Sequence, residues 1–451
     1  MSARDRRKAR RTEAQQQPQQ ATARAAPRAA GGAPLEYRAA KAAPMPLAVD
    51  DAARAQTITT WVLVGYLMVI ILGFWLLQID GVTVGKLNKD RAFFQAANAA
   101  TLTGFRGNIS FGTSLAGPAI LLMLMLAGAM TSLVVGGMAA VRIVRLPYTD
   151  RQVVVGSAVA CGVAMFGGAA VLLALGSASF SANGVLGAMM RCMGAFANCP
   201  LYIGGRPPVP GDWQVQLILL PLAVFGGLGL PVLLDLWDFA RRRRTELAFH
   251  TRVVLGMSAG LYLAGLLLFL VLTPKGIGAG FDAWDTIAAA SAHSLSTRTA
   301  GFQFTFATAW PQVLRWVVVL LMVVGGSPAG TAGGLKTTTL YALFRGTRLA
   351  LRGEAPGRPF AIALTWVGTY LGIVLACFLL FVLAVEEVAP DRALFETVSA
   401  VSNVGLSYDT ILVVRGGIFI LSGAMIFGRV VPLLMLWWMA TTTADADVAV
   451  S

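Results

Sequence analysis

Charge is what this sequence has least of: 13% of its 451 residues are Asp, Glu, Lys or Arg, where a soluble domain carries about 25%. That deficit excludes an ordinary soluble fold. Histidine is rarer still, with only His250 and His293, too far apart to suggest a ligand pair. The four cysteines, Cys161, Cys192, Cys199 and Cys377, contain no CxxC pair and imply no metal site. Cys192 and Cys199 are near enough to meet at an outer face, but free thiols are the simpler expectation. No nucleophile stands beside a base and no acids cluster in the apolar runs, so nothing supports a membrane enzyme.

What is present is apolar sequence, 56% of residues, bunched near 58–77, 115–141, 153–175, 215–237, 253–272, 313–325, 360–385 and 411–440. A crossing takes roughly 20 apolar residues, because about 30 Å of hydrocarbon is spanned at about 1.5 Å per residue. Most runs reach that length. The basic residues concentrate in three loops, "RIVRLPYTDR" (142–151), "ARRRRTELAFHTR" (240–252) and "FRGTRLALRGEAPGR" (344–358), and in an Arg-rich arm at the N-terminus. The positive-inside rule puts all of these on the cytoplasmic side. Two crossings per interval then give eight transmembrane helices with both termini inside. Residues 1–56 read as a disordered basic cytoplasmic tail touching anionic lipid rather than nucleic acid, and 441–451 as a short cytoplasmic tail.

The crossings pair into repeats over 57–145, 146–244, 245–352 and 353–440. Each pair encloses a segment too polar for a crossing and too apolar for a free loop, ending in "ATLTGF" (100–105), "GAFANCPL" (194–201), "STRTAGF" (296–302) and "SNVGLS" (402–407). Gly104, Pro200, Gly301 and Gly405 stand 96, 101 and 104 residues apart. The expectation is an all-α membrane protein of four tandem span–short helix–turn–span repeats around a pseudo-fourfold pore. Asp90, Asp282 or Asp285, and Asp391 precede the short helices of repeats one, three and four, where an acid complements the helix dipole. Carbonyl-based selectivity needs a turned strand, and Gly permits the positive φ such turns use. The candidate ion filter is Thr103, Gly104, Asn198, Cys199, Pro200, Ala300, Gly301, Val404 and Gly405. Pro200 breaks the pattern: either that turn is reshaped, or Gly204 or Gly205 takes the role.

"GGSPAGTAGGLKTTT" (325–339) has five Gly and one Pro in fifteen residues, at about 1 and 3 kcal/mol each against a helix. It is expected as an intramembrane gate loop, through Gly325, Gly326, Ser327, Gly330, Thr331, Gly333, Gly334 and Lys336, with Thr337 to Thr339 adding hydroxyls. Lys336 reads equally as a snorkelling anchor. Arg298, Glu396 and Arg429 are charges inside apolar segments, functional by default. Arg298 and Glu396 are expected to pair. Arg429 reads either as a fixed positive charge near the cavity or as a donor to loop carbonyls.

"STRTAGF", "FETVSAVSNVGLS" (395–407), "GGSPAGTAGGLKTTT" and "FGRVVPLL" (427–434) resemble the third and fourth pore loops, the broken third-repeat helix and the Arg-bearing last helix of the Trk/Ktr/HKT potassium transporters. The resemblance covers roughly 57–440 and is more Ktr-like, since the extra N-terminal hairpin is missing. It implies potassium uptake at the cell (inner) membrane, a homodimer, K+ on the filter carbonyls with no covalent cofactor, and a cytosolic nucleotide-binding regulatory ring. Family members usually carry Gly where Pro200 stands, so a sodium-permeable or weakly selective channel is the alternative. A secondary transporter of unknown solute is the alternative of another class. Its inverted repeats would need odd numbers of crossings, against the single side on which the basic loops fall.

Overall fold

The structure, a computed structural model, describes residues 49–85, 87–106, 111, 114–201, 209–273, 283–385, 388–409 and 417–442. The Arg-rich arm, Gly204, Gly205, Asp282 and residues 443–451 lie outside the described residues.

Among the described residues every regular element is a helix. In chain order these are α1 (Val49–Leu76), α2 (Lys89–Ala100), α3 (Ala116–Val144) and α4 (Asp150–Ala174), the last with a π turn at Val163–Gly167. Then follow α5 (Ala182–Phe196), α6 (Val215–Leu228), α7 (Leu230–Ala240) and α8 (Phe249–Leu272). The chain continues through α9 (Ala283–Leu295), a π turn at Ser296–Ala300, α10 (Gln312–Val323) and α11 (Thr337–Leu351), and ends with α12 (Gly357–Ala384), α13 (Pro390–Val401) and α14 (Gly417–Thr442).

Among the described residues five helices, α3, α4, α8, α12 and α14, are long and apolar enough to cross a membrane, and α6 with α7 forms a sixth candidate bent by 105°. The apolar run expected over 215–237 is thus two helices joined at a bend. Gly229 sits at φ 82° and ψ 153°, backbone that essentially only glycine adopts. The run at 313–325 yields only the 12-residue α10 before the chain leaves helix. The first helix begins at Val49, ahead of the boundary expected at 57, because the polar stretch before the apolar run continues the helix and hydropathy does not register it.

Local chemistry sets the short helices. Asp90, Asp285 and Asp391 occupy the first turns of α2, α9 and α13. Where α5 has no acid, Ser181 caps it, accepting from the Gly184 amide at 3.1 Å. Helix α4 opens with a capping box between Thr149 and Gln152. Helix α3 is the most enclosed long helix, 56% buried against 17% for α8, and it packs on α1, α2, α4, α5, α7 and α14. Close approach is bought with glycine: a Cβ on Gly128, Gly226 or Gly428 would strike the carbonyl of Ala100, Phe196 or Val401, the last residues of three short helices.

Candidate functional site

Three of the four short helices end alike. The residue after each helix cap lies in the left-handed region: Leu102 at φ 58°, Asn198 at φ 54° and Asn403 at φ 49°. The following amide reaches five residues back, Thr103 to Asn98 at 3.1 Å, Cys199 to Gly194 at 2.8 Å and Val404 to Ser399 at 2.9 Å. This is the Schellman closure of a helix C-terminus. The next residue is Gly104, Pro200 or Gly405, so Pro200 stands in register with the two glycines. Gly104 and Gly405 have φ of 86° and 80°, which Pro cannot copy. The α9 chain differs: its π turn brings the Gly301 amide to Ser296 at 3.0 Å, and Gly301, after Ala300, has φ 65°.

The four turns meet as a closed ring. A Cβ on Gly104 would lie 2.8 Å from Pro200 Cδ, and one on Gly301 would lie 3.4 Å from the same atom. On its other side Gly301 abuts the Val404 carbonyl, and Gly405 abuts that of Thr103. Side chains clip neighbours together. Gln303 accepts from the Ser407 amide at 2.6 Å and donates to the Ser407 carbonyl at 3.3 Å. Asn403 donates to Thr103 Oγ1 at 2.9 Å. Asn98 donates to the Phe105 carbonyl and accepts from the Phe105 amide, both at 2.8 Å. Cys199, like Cys161, Cys192 and Cys377, is a buried free thiol.

Residues 324–336 leave helix and lie against this ring. A parallel bridge between Val324 and Leu335 closes the loop's neck, and 325–333 are buried. Gly333 packs on the Ser402 carbonyl, and a Cβ there would sit 2.9 Å from that of Asn403. The Ser327 and Thr331 amides donate to Gly227 and Gly226 carbonyls at 2.9 and 3.0 Å, and the Leu230 amide donates to Ala329 at 3.2 Å. Thr331 Oγ1 donates to the Phe196 carbonyl and accepts from Asn198 Nδ2, both at 2.8 Å. Gly325 receives a hydrogen bond at its carbonyl from Arg298, while Gly326 and Gly330 pack on the end of α6. Gly334 turns the chain at φ 66°. Thr337 donates from its amide to the Gly326 carbonyl at 3.0 Å.

The basic residues bind carbonyls. Arg429 donates to Thr101 at 2.7 Å, to Leu102 at 3.4 Å and to Thr331 at 2.8 Å, joining the first turn to the loop. Arg298 donates to Ser258 at 3.2 Å and Gly325 at 3.1 Å. Lys336 donates to Ala332 at 2.8 Å, within the loop itself. The Arg298–Glu396 pair does not form: Glu396 accepts from the Tyr408 amide at 2.8 Å. Each group takes backbone partners instead: Arg298 the carbonyls of Ser258 within α8 and of Gly325 in the loop, and Glu396 the Tyr408 amide beyond the fourth turn.

The structure adds residues that sequence reasoning passed over. Tyr66 donates to the Ala100 carbonyl at 2.5 Å, Tyr370 pairs with Ser402 at 2.6 Å and Tyr262 with Ser291 at 3.0 Å. Each lies on the long helix before its turn and braces the short helix. One Tyr in each of three long helices, 35 to 39 residues before the turn glycine, was the available signal.

Residues 214–436 match the family of TrkH, described as a cation transport protein. That stretch, just under half of the chain, is similar to the TrkH cation transport family. Among curated relatives, the Ktr system potassium uptake protein B of Vibrio alginolyticus is 29% identical over 272 residues, 57% of this chain and 60% of that protein. The potassium/sodium uptake protein NtpJ of Enterococcus hirae is 28% identical over 244 residues, 50% of this chain and 53% of that protein. Both matches span less than two thirds of the relative. The potassium transporter TrkH from Vibrio parahaemolyticus superposes with a TM-score of 0.63, covering 84% of this chain and 85% of that one. At 16% identity that likeness speaks to the fold alone.

Proposed function

We propose that this protein takes up potassium ions across the cell membrane. Eight crossings in four parallel repeats enclose one pore per chain, with both termini and the basic loops cytoplasmic. The ring of turns is the filter, its backbone carbonyls replacing the water around a potassium ion. The short helices aim their C-terminal ends, where the dipole is negative, toward the ion. The loop 324–336 beneath the ring is the gate, and Arg429 latches it to the first turn. A homodimer and a cytosolic nucleotide-binding ring complete the system; that matched relatives are named as parts of a Ktr system supports an assembly of more than one component. The observation that carries this reading is the closed ring of four turns with a buried non-helical loop packed under it. Such backbone survives at membrane depth only where it is buried in protein or lines a cavity.

Pro200 favours a second reading, a filter that admits sodium. One of the four turns lacks the glycine backbone of the others, and one matched relative is named for both ions. The deciding experiment expresses the chain in a bacterium deficient in potassium uptake and scores growth at low potassium, with and without Pro200→Gly. Rescue by the unaltered chain is expected. Rescue by neither sinks the potassium reading. Rescue by the Gly variant alone, with sodium sensitivity from the parent, establishes the second.

A further inference from the structure

The bend at Gly229 has a consequence on the outer face of the protein. Because α6 and α7 diverge by 105°, the space between them and α4 is a groove of 1020 Å³. This is at the upper end of cavities that bury small ligands, about 300–1,000 Å³. Its walls are apolar and half open. Val155, Val159 and Val163 on α4 are 52%, 56% and 66% exposed, and Phe225 on α6 is 49% exposed. One end is basic, formed by Arg151, Arg243 and Arg244 with Tyr148.

The charges there are unequal. Arg244 is committed to the fully buried Asp235 at 2.9 Å and lies over the Tyr148 ring. Arg243, 64% exposed, stands 3.6 Å from Asp238 and keeps most of its five donors free. Tyr148 donates to Asp238 at 3.0 Å. Burial and that carboxylate raise the phenol's pKa, so it stays neutral. Arg151 is exposed and forms no ion pair among the described residues. Trp237, 55% exposed with Arg241 over its ring, marks the level of the membrane–water interface.

We propose that this groove binds an anionic phospholipid, its phosphate held by Arg151 and Arg243 and one acyl chain lying along α4. An apolar trough that ends in net positive charge at the interface complements a lipid with a negative head, and a bare phosphate would leave the trough unfilled. The inner end of the groove is made by Phe196 and Leu230. Their carbonyl and amide hold Thr331 and Ala329 of the buried loop. A bound chain therefore braces the bend on which the loop rests.

The test uses the full chain, purified in detergent and examined by native mass spectrometry with phosphatidylglycerol or phosphatidylcholine. The unaltered protein is expected to retain phosphatidylglycerol in preference. Losing two arginines is expected to cut that preference about twenty-fivefold, at about fivefold each. The variant is Arg151→Gln with Arg243→Gln, both exposed and outside the pore. Val159→Trp fills the acyl path from an exposed position and is expected to reduce retention of both lipids. An unchanged preference in the double Gln variant overturns the proposal. So does efficient cross-linking of two copies through Val159→Cys, which would mean that a second copy covers the groove.

Discussion

The two broken stretches of this protein differ in size and in how they are made. Between α10 and α11 the break takes thirteen residues, 324–336, rich in glycine. Between α6 and α7 it takes one, Gly229. A helix end leaves carbonyls and amides without partners, and in an apolar setting each unmet group is costly. Here the breaks serve each other. The last turn of α6 offers the Gly226 and Gly227 carbonyls, the loop supplies the Thr331 and Ser327 amides, and Leu230 at the start of α7 gives its amide to Ala329. The comparison teaches that the short break is a docking surface for the long one, and neither is stable as drawn without the other.

The severest challenge to that statement is Arg429, which holds the loop from the opposite side. Arg429→Met would leave the Thr101, Leu102 and Thr331 carbonyls without their guanidinium donor. At about 1–3 kcal/mol for each buried acceptor left unmet, a loss of several kcal/mol is expected, read as a lower melting temperature in detergent. Basal rubidium flux in liposomes should rise as the loop loosens. If stability and flux are unchanged, the second break alone positions the loop.

Next in size is Gly229→Ala. Its Cβ would lie 2.6 Å from the Pro328 carbonyl, and the backbone would be strained by about 1–3 kcal/mol. Smaller destabilisation than Arg429→Met is expected, with a clear rise in basal flux, because the three backbone bonds to the loop must shift. A stable variant with unaltered flux would show that the two breaks are neighbours without being partners.

The same contrast explains what could be read beforehand. Five glycines and a proline within 325–339 depart so far from helix composition that the loop was legible at once. Gly229 was not, because it stands in uniformly apolar sequence beside Gly226 and Gly227, and glycine is common in membrane helices. The turn glycines 104, 301 and 405 stood out by their spacing. The left-handed residues before them were half legible: Asn198 and Asn403 are of a type that tolerates that backbone, and Leu102 is not. The partners of Arg298 and Arg429 were illegible in principle. An opposite charge is visible in a sequence, and a freed carbonyl is not, which is why Glu396 was expected beside Arg298.

Two double-mutant cycles turn that difference into a measurement. Asn198 Nδ2 donates to Thr331 Oγ1 at 2.8 Å, so one side chain of the second turn holds one side chain of the loop. Asn198→Ala and Thr331→Val should couple by about 1 kcal/mol, the net worth of a buried neutral hydrogen bond. Arg298→Met and Glu396→Gln should each destabilise yet add within about 0.5 kcal/mol, as independent sites do. Arg298 answers to the start of the loop and to α8, and Glu396 to the chain leaving the fourth turn. Coupling well above that level would restore the ion pair. Absence of coupling in the first cycle would detach the loop from the second turn and leave the backbone bonds at Gly226 and Gly227 as its hold on that side.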